Sequence, residues 1–226
     1  MASPTGEALL SLLKRAQKEA SLFVILGDLF DIWVGSGQAF QKEYEPVIDA
    51  LRELRKTCSV YYFEGNHDFH LEKFWTKEIE LEVFSGPKEF EFGGMKIRAE
   101  HGDEVNRQDH GYIFLRWFLR TSPLKFLIEN LPSSIVLRVG RRASKVSRQY
   151  TSGLKNRSIE IFREYAQDLA ETHPFDLLLT GHTHVPDDFT FKIKGETSRL
   201  INLGSWFDGP HYLKVSSDGN VERIDI

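Results

Sequence analysis

Five residues of metal-ligand type follow short apolar runs in this 226-residue chain: Asp28, Asn66, His101, His182 and His184. A carboxylate, an amide oxygen and imidazoles suit Mn²⁺, Fe or Zn²⁺, and with Cys58 the sole cysteine a thiolate site is excluded. The expected cofactor is a divalent transition metal. Each ligand sits in a short motif: Gly27-Asp28-Leu29-Phe30-Asp31, Gly65-Asn66-His67-Asp68, His101-Gly102-Asp103 and Gly181-His182-Thr183-His184. A single Gly-Asp or His-Gly-Asp is more often a turn than a site. Four together, each preceded by a strand pattern, are a much sharper signal.

The elements that must position these residues are legible around them. Leu22–Leu26 is an unbroken apolar run of strand length, and Val60–Phe63, Met95–Ala99 and Phe175–Leu179 precede the other motifs in the same way. Strand C-termini in an α/β sheet open on one crevice, so ligands far apart in sequence can converge there. Asp31 and Asp103 are expected to orient the neighbouring ligands. Ser3-Pro4 reads as an N-cap and first-turn proline, opening an amphipathic helix that runs to about Glu19. Tyr44 to Lys56 carries Val47, Ile48, Leu51 and Leu54 at helical spacing, a crossover that makes a βαβ unit of the first two strands. After His184 the pattern turns to short strands, Phe189–Ile193, Leu200–Leu203, Tyr212–Val215 and Val221–Ile226, with turns at Gly195 and at Ser217-Asp218-Gly219-Asn220.

Between the third and fourth motifs, about residues 106–172 show helical but no strand signal, divided by Pro123 and Pro132. No flanking segment has linker composition, so the expectation is a single domain over 1–226 with a helical insertion. Tyr112, Phe114, Leu115, Trp117, Phe118 and Leu119, then Phe126, Leu127, Ile128, Leu131, Ile135, Val136 and Leu137, are more apolar than one buried helix face requires. Spare apolar surface for acyl chains or a bilayer is one reading, and an ordinary packed core the other. Arg138, Arg141, Arg142, Lys145 and Arg148 follow with no intervening acid. Arg142 and Lys145 are candidates for a substrate phosphate or anionic headgroups, with a solvated helix face as the alternative.

Composition narrows the class. Hydrophobic residues at 41% and charged residues at 27% are ordinary globular usage. A net charge of -4 supplies no field for nonspecific polyanion binding, so no nucleic-acid partner is expected. No run approaches the roughly 20 apolar residues of a spanning helix. A lone cysteine and no basic-then-apolar leader at Met1 make the cytoplasm the expected compartment, with any membrane contact peripheral. Oligomeric state is not legible.

In this order the four motifs resemble the calcineurin-like metallophosphoesterase superfamily, over most of the chain. The resemblance implies a four-layer α-β-β-α sandwich of two mixed sheets with a helical lid insertion. It also implies two metals, with Mn²⁺ the expected ion, bridged by the carboxylate at Asp28. Asn66, His101 and His182 match the ligands of the second metal, and His184 matches a ligand of the first. His67 matches the histidine that faces the phosphate and leaving group, supported by Asp68. Two such cations polarise a phosphoryl oxygen, neutralise its charge and acidify a water into a nucleophile near neutral pH. The Asp-x-His that opens the family pattern ahead of the first helix has no counterpart here, so one metal, or a weakly held pair, is expected.

Within the superfamily the chain is similar to the UDP-2,3-diacylglucosamine pyrophosphatases of lipid A biosynthesis. The similarity rests on Leu26-Gly27-Asp28-Leu29-Phe30-Asp31-Ile32-Trp33, on the segment from His101 to Asp109-His110-Gly111-Tyr112, on the helical insertion, and on Leu203-Gly204-Ser205-Trp206. It implies cleavage of a lipid-linked nucleotide pyrophosphate to lipid X and UMP, with the insertion as a lid for acyl chains that can touch the inner membrane. Asp109 matches a lid-proximal acid that contacts substrate, and it also fits the N-cap of the next helix. The better-known branch of that subfamily has Arg where this chain has His67. The rival readings are a phosphodiesterase or phosphatase on a soluble substrate, and a catalytically impaired phosphoesterase-like scaffold that keeps the fold for partner binding.

Overall fold

The computed structural model describes residues 3–151 and 155–226, and the side chains of residues 143–156 lie outside that description. The chain forms two compact units, one of residues 1–85 with 107–150 and the other of 86–106 with 151–226.

The first unit opens with α1 (Pro4–Glu19), whose Ser3 cap accepts from the Gly6 amide at 3.2 Å. It continues through β1 (Leu22–Ile25), β2 (Trp33–Val34), α2 (Gln38–Glu43), α3 (Glu45–Leu54), β3 (Ser59–Phe63), β4 (Asp68–Phe69), a short π turn at Glu72–Thr76, and β5 (Glu82–Phe84). β1, β3 and β5 make a parallel sheet in which Leu22 pairs with Ser59 and Phe63 with Phe84. α3 is the crossover between β1 and β3, burying Ile48, Leu51 and Leu54. β2 and β4 pair as a second, two-residue parallel ladder that brings Trp33 opposite Asp68. The core of this unit is aromatic. Trp33 is fully buried among Phe30, Phe40, Phe74 and Trp75, and its Nε1–H donates to the Gly35 carbonyl at 2.8 Å.

Three helices of the same unit follow residue 107: α4 (His110–Leu119), α5 (Ser122–Asn130) and α6 (Ser133–Thr151). Pro123 stands in the first turn of α5, and Pro132 immediately precedes α6, each where its missing N–H costs nothing. α6 is seated closely. Ser133 Oγ accepts from the Ala39 amide at 3.1 Å, Arg141 pairs with Glu43, and a β-carbon on Gly140 would stand 2.5 Å from Ile32 Cγ1. Leu137 is buried, with Leu119, Ile128 and Val136 partly so against the same core.

The second unit contains a five-stranded sheet in the order β6 (Lys88–Phe92), β7 (Met95–Ala99), β8 (Leu177–Thr180), β10 (Glu196–Asn202), β9 (Asp187–Ile193). The central pairs β7–β8 and β8–β10 are parallel and the two edge pairs antiparallel. α7 (Lys155–Thr172) lays Phe162, Ala166 and Ala170 on a cluster containing Phe175, Leu178, Phe191 and Leu200. A separate hairpin, β11 (His211–Val215) and β12 (Val221–Asp225), ends the chain. The α/β class read from the sequence holds, and of the two main sheets one is mixed while the three strands of the other are all parallel. β5 is too short, at three residues, to carry an alternation, whereas Glu89-Phe90-Glu91-Phe92 in β6 alternates charged and apolar side chains as an edge strand does.

Candidate metal centre

In the first unit, the loop after β1 and the loop after β3 are tied together by one side chain. Asp68 Oδ1 accepts from the amides of Asp28 and Gly65, each at 2.9 Å. Its Oδ2 accepts from the Leu29 amide at 2.8 Å and from the Tyr62 hydroxyl at 2.5 Å. Asp68 is fully buried, so these four donors replace the hydration its charge has lost. Burial and the Asp68 carboxylate beside it push the Tyr62 hydroxyl far above the usual phenol range, which keeps it a donor.

Asp28 itself is held at φ 53°, in the left-handed region, where an aspartate is tolerated but uncommon. Its Oδ1 accepts from the His67 amide at 2.9 Å, and the His67 carbonyl accepts from the Trp33 amide at 2.8 Å. Gly65 is required by space. A β-carbon there would lie 2.1 Å from Asp28 Oδ1. Asp28, His67 and Asp68 are thus drawn into one hydrogen-bonded unit, with Asn66 in its central turn. Asp31 is exposed; its charge, after burial, helps push the Tyr44 hydroxyl up to about 12.

The second unit assembles the histidines. His101 is buried at the end of β7, and its carbonyl accepts from the Gly181 amide at 3.0 Å. His101 Nε2 lies 3.3 Å from His182 Nδ1, with the rings edge to face. His182 and His184 both take left-handed φ, at 68° and 57°. Three non-glycine ligand candidates in this region of backbone space mark local strain of the kind found at functional sites. The nitrogens of His101 and His182 stand close enough to serve one cation, so the donor set fits a divalent transition metal. Gly102 makes room for α7, because a β-carbon there would meet Phe162 at 2.9 Å. Asp103 is buried. Burial pushes the Glu100 carboxyl up, and it accepts from the Tyr165 hydroxyl at 2.8 Å.

Two supporting residues escape a reading of the sequence. Asn202, 2% exposed, donates to the Gly181 carbonyl at 2.7 Å and to Thr180 Oγ1 at 3.0 Å, and so braces the His182 loop from β10. Arg120 donates to the Gly65 carbonyl at 3.0 Å. The only trace of either in sequence is a polar residue closing an apolar run. Asp109 is the N-cap of α4, accepting from the Tyr112 amide at 2.9 Å. Arg138 and Arg142 are exposed on α6, and the side chain of Lys145 lies outside the described residues.

These loops at strand ends, with carboxylate, amide and imidazole donors, are the equipment of a metal-dependent phosphoester hydrolase. A family model for calcineurin-like phosphoesterases matches residues 6–186, and the chain belongs to that family. It is similar to a UDP-2,3-diacylglucosamine hydrolase of Pseudomonas fluorescens (strain Pf0-1), 29% identical over 213 residues, which are 94% of this chain and 86% of the relative. It is likewise 29% identical over 221 residues to the enzyme of that name from Pseudomonas syringae pv. syringae (strain B728a), covering 97% and 89% of the two chains. Among solved structures a Vps29 double mutant from Entamoeba histolytica is a loose likeness, with a TM-score of 0.41 and 16% identity over 96% of this chain and 88% of that one. Divalent-metal binding comes with the family, and the chain is a hydrolase of phosphoester bonds.

Proposed function

We propose that this protein hydrolyses the pyrophosphate of UDP-2,3-diacylglucosamine to lipid X and UMP. The observation that carries the lipid part of this reading is on α4 and α5, where no residue is buried although both helices are rich in large apolar side chains. Phe114 and Trp117 are each 62% exposed and Phe126 is 70% exposed. Contiguous apolar surface on a folded protein marks a binding surface. An acyl substrate is the occupant that agrees with the relatives' printed activity.

In this reading Asp28, Asn66, His101, His182 and His184 hold the metal, with Mn²⁺ the expected ion. Bound metal supplies Lewis-acid polarisation of the phosphoryl group. His67 is the proposed proton donor to the leaving oxygen, its backbone fixed on both sides by Asp28 and Trp33. Asp68 keeps the two loops in register, while Arg142 and Lys145 are proposed contacts for a substrate phosphate. Asp103 orients His101, Asp31 serves the Asp28 loop in the same way, and Asp109 caps α4 beside the apolar surface. The cytoplasm is the proposed compartment, with peripheral membrane contact through α4 and α5. Among the described residues no helix is long and apolar enough to cross a membrane.

The test pairs two substrates. Micellar UDP-2,3-diacylglucosamine and bis(p-nitrophenyl) phosphate are assayed with Mn²⁺ for the parent and for Trp117→Ser combined with Phe118→Ser. Each buried aromatic contributes about 1.5–3 kcal/mol, so kcat/KM on the acylated substrate is expected to fall about tenfold or more with the soluble diester unaffected. Unchanged kinetics on the acylated substrate would sink the lipid reading and leave a phosphodiesterase of soluble substrates.

A further inference from the structure

Arg120 stands at the C-terminal cap of α4 and reaches from there into the loop that carries Asn66 and His67. Its Nη2–H donates to the Gly65 carbonyl at 3.0 Å, its Nε lies 3.7 Å from Glu64 Oε2, and its guanidinium carbon sits 5.3 Å from the centre of the Phe69 ring. His70 makes a second tie beside it. Held at φ 57°, it donates from Nε2 to the Leu119 carbonyl at 3.0 Å, satisfying one of the carbonyls a helix end leaves open. Glu64 Oε1 accepts from the Leu71 amide at 2.9 Å. Both flanks of Asn66-His67 are therefore clipped to Leu119-Arg120.

A basic residue at a helix C-terminus ordinarily complements the helix dipole from solvent. Arg120 does not. Its side chain is 16% exposed beside a Glu64 carboxylate that is 7% exposed, and its buried Nε has no hydrogen-bond partner. Burying a guanidinium with one donor unmet is costly. What the arrangement obtains is a fixed carbonyl at the residue before Asn66, and a guanidinium's rigid planar fork sets the direction of its donors, which the freely rotating donors of an ammonium do not.

We propose that Arg120 is a positioning residue for the hydrolysis, setting the Gly65 carbonyl and through it the aim of Asn66 and His67. The inference rests on the proposed place of Asn66 and His67 in the site, and not on the identity of the lipid substrate. The experiment measures Mn²⁺ affinity of the full chain by electron paramagnetic resonance, with kcat and KM on bis(p-nitrophenyl) phosphate. It compares the parent with Arg120→Lys, with Arg120→Met combined with Glu64→Gln, and with Asn66→Ala. The Met and Gln pair keeps the packing over Phe69 without stranding a buried charge.

For that pair the expected result is a loss of about tenfold or more in both Mn²⁺ affinity and kcat, as for other residues that brace metal ligands, with KM unchanged. Arg120→Lys should fall between it and the parent. A folded pair with parental Mn²⁺ affinity and kcat, whatever its unfolding midpoint, overturns the proposal. If the pair does not fold, parental values in Arg120→Lys overturn it equally. Loss in Asn66→Ala with none in the Arg120 variants refutes the positioning role alone, whereas parental Mn²⁺ affinity in Asn66→Ala refutes the site reading beneath it.

Discussion

The loops after β1 and β3 and the helices α4 and α5 belong to the same compact unit yet settle their surfaces in opposite ways. In the loops a fully buried carboxylate gathers four donors, one of them the amide of Asp28, whose backbone is held in a left-handed conformation. In the helices, Phe114, Leu115, Trp117, Phe118, Phe126 and Leu127 face outward, and attachment to the core runs through Leu119 and Ile128. Chemistry needs the first arrangement, because a ligand displaced by an ångström loses its function. Recognition of an apolar substrate needs the second, because surface already buried has no hydrophobic free energy left to contribute.

That contrast breaks first at Asp68. Asp68→Asn places an amide where four N–H and O–H groups point, and is expected to destabilise the protein by about 3 kcal/mol or more by leaving buried donors unmet. The same change should lower turnover of any phosphodiester by about ten- to a hundredfold. Urea unfolding and the bis(p-nitrophenyl) phosphate assay measure the two effects, and a stability change near zero would show that the loops hold together without it.

A smaller effect belongs to His70. Burial lowers its pKa below the ordinary 6.5, so the unfolded chain binds the proton more readily than the folded one. Stability from this group is fully present above pH 6.5 and declines as pH falls toward the folded-state value. His70→Gln, which can still donate to the Leu119 carbonyl, should therefore show a flatter loss of stability on acidification than the parent. Parallel curves between about pH 5 and 7 would remove His70 from the account.

The smallest effect is expected on the helices. Phe126→Ser should leave the urea midpoint within about 0.5 kcal/mol of the parent, since a side chain 70% exposed has little burial to lose. A loss of about 2 kcal/mol or more would mean that the helix is core and that its apolar face is not a free surface.

Much of the framework was legible in the sequence. The apolar runs ahead of Asp28, Asn66, His101 and His182 are strands, Ser3 and Pro4 open α1, and the Tyr44 to Lys56 pattern is the α3 crossover. Local patterning suffices there because strand burial and helix periodicity are properties of neighbouring residues. The two-residue ladder of β2 and β4 was not legible, since nothing in Trp33-Val34 or Asp68-Phe69 signals the other. Nor was the choice between core and surface for α4 and α5. Their sequences are apolar enough for either, and only packing against the rest of the unit leaves those side chains outside.

The sequence by itself determined the donor types and the turns that carry them, because a carboxylate, an imidazole and a glycine are what they are wherever the chain goes. It determined the family for the same reason. Only the tertiary structure decided that Asp68 gathers the amides of Asp28, Leu29 and Gly65, that Gly65 has no room for a side chain, and that Arg120 reaches back across 55 positions to a backbone carbonyl. Those are relations between distant segments, set by which buried polar groups must find partners once water has been excluded.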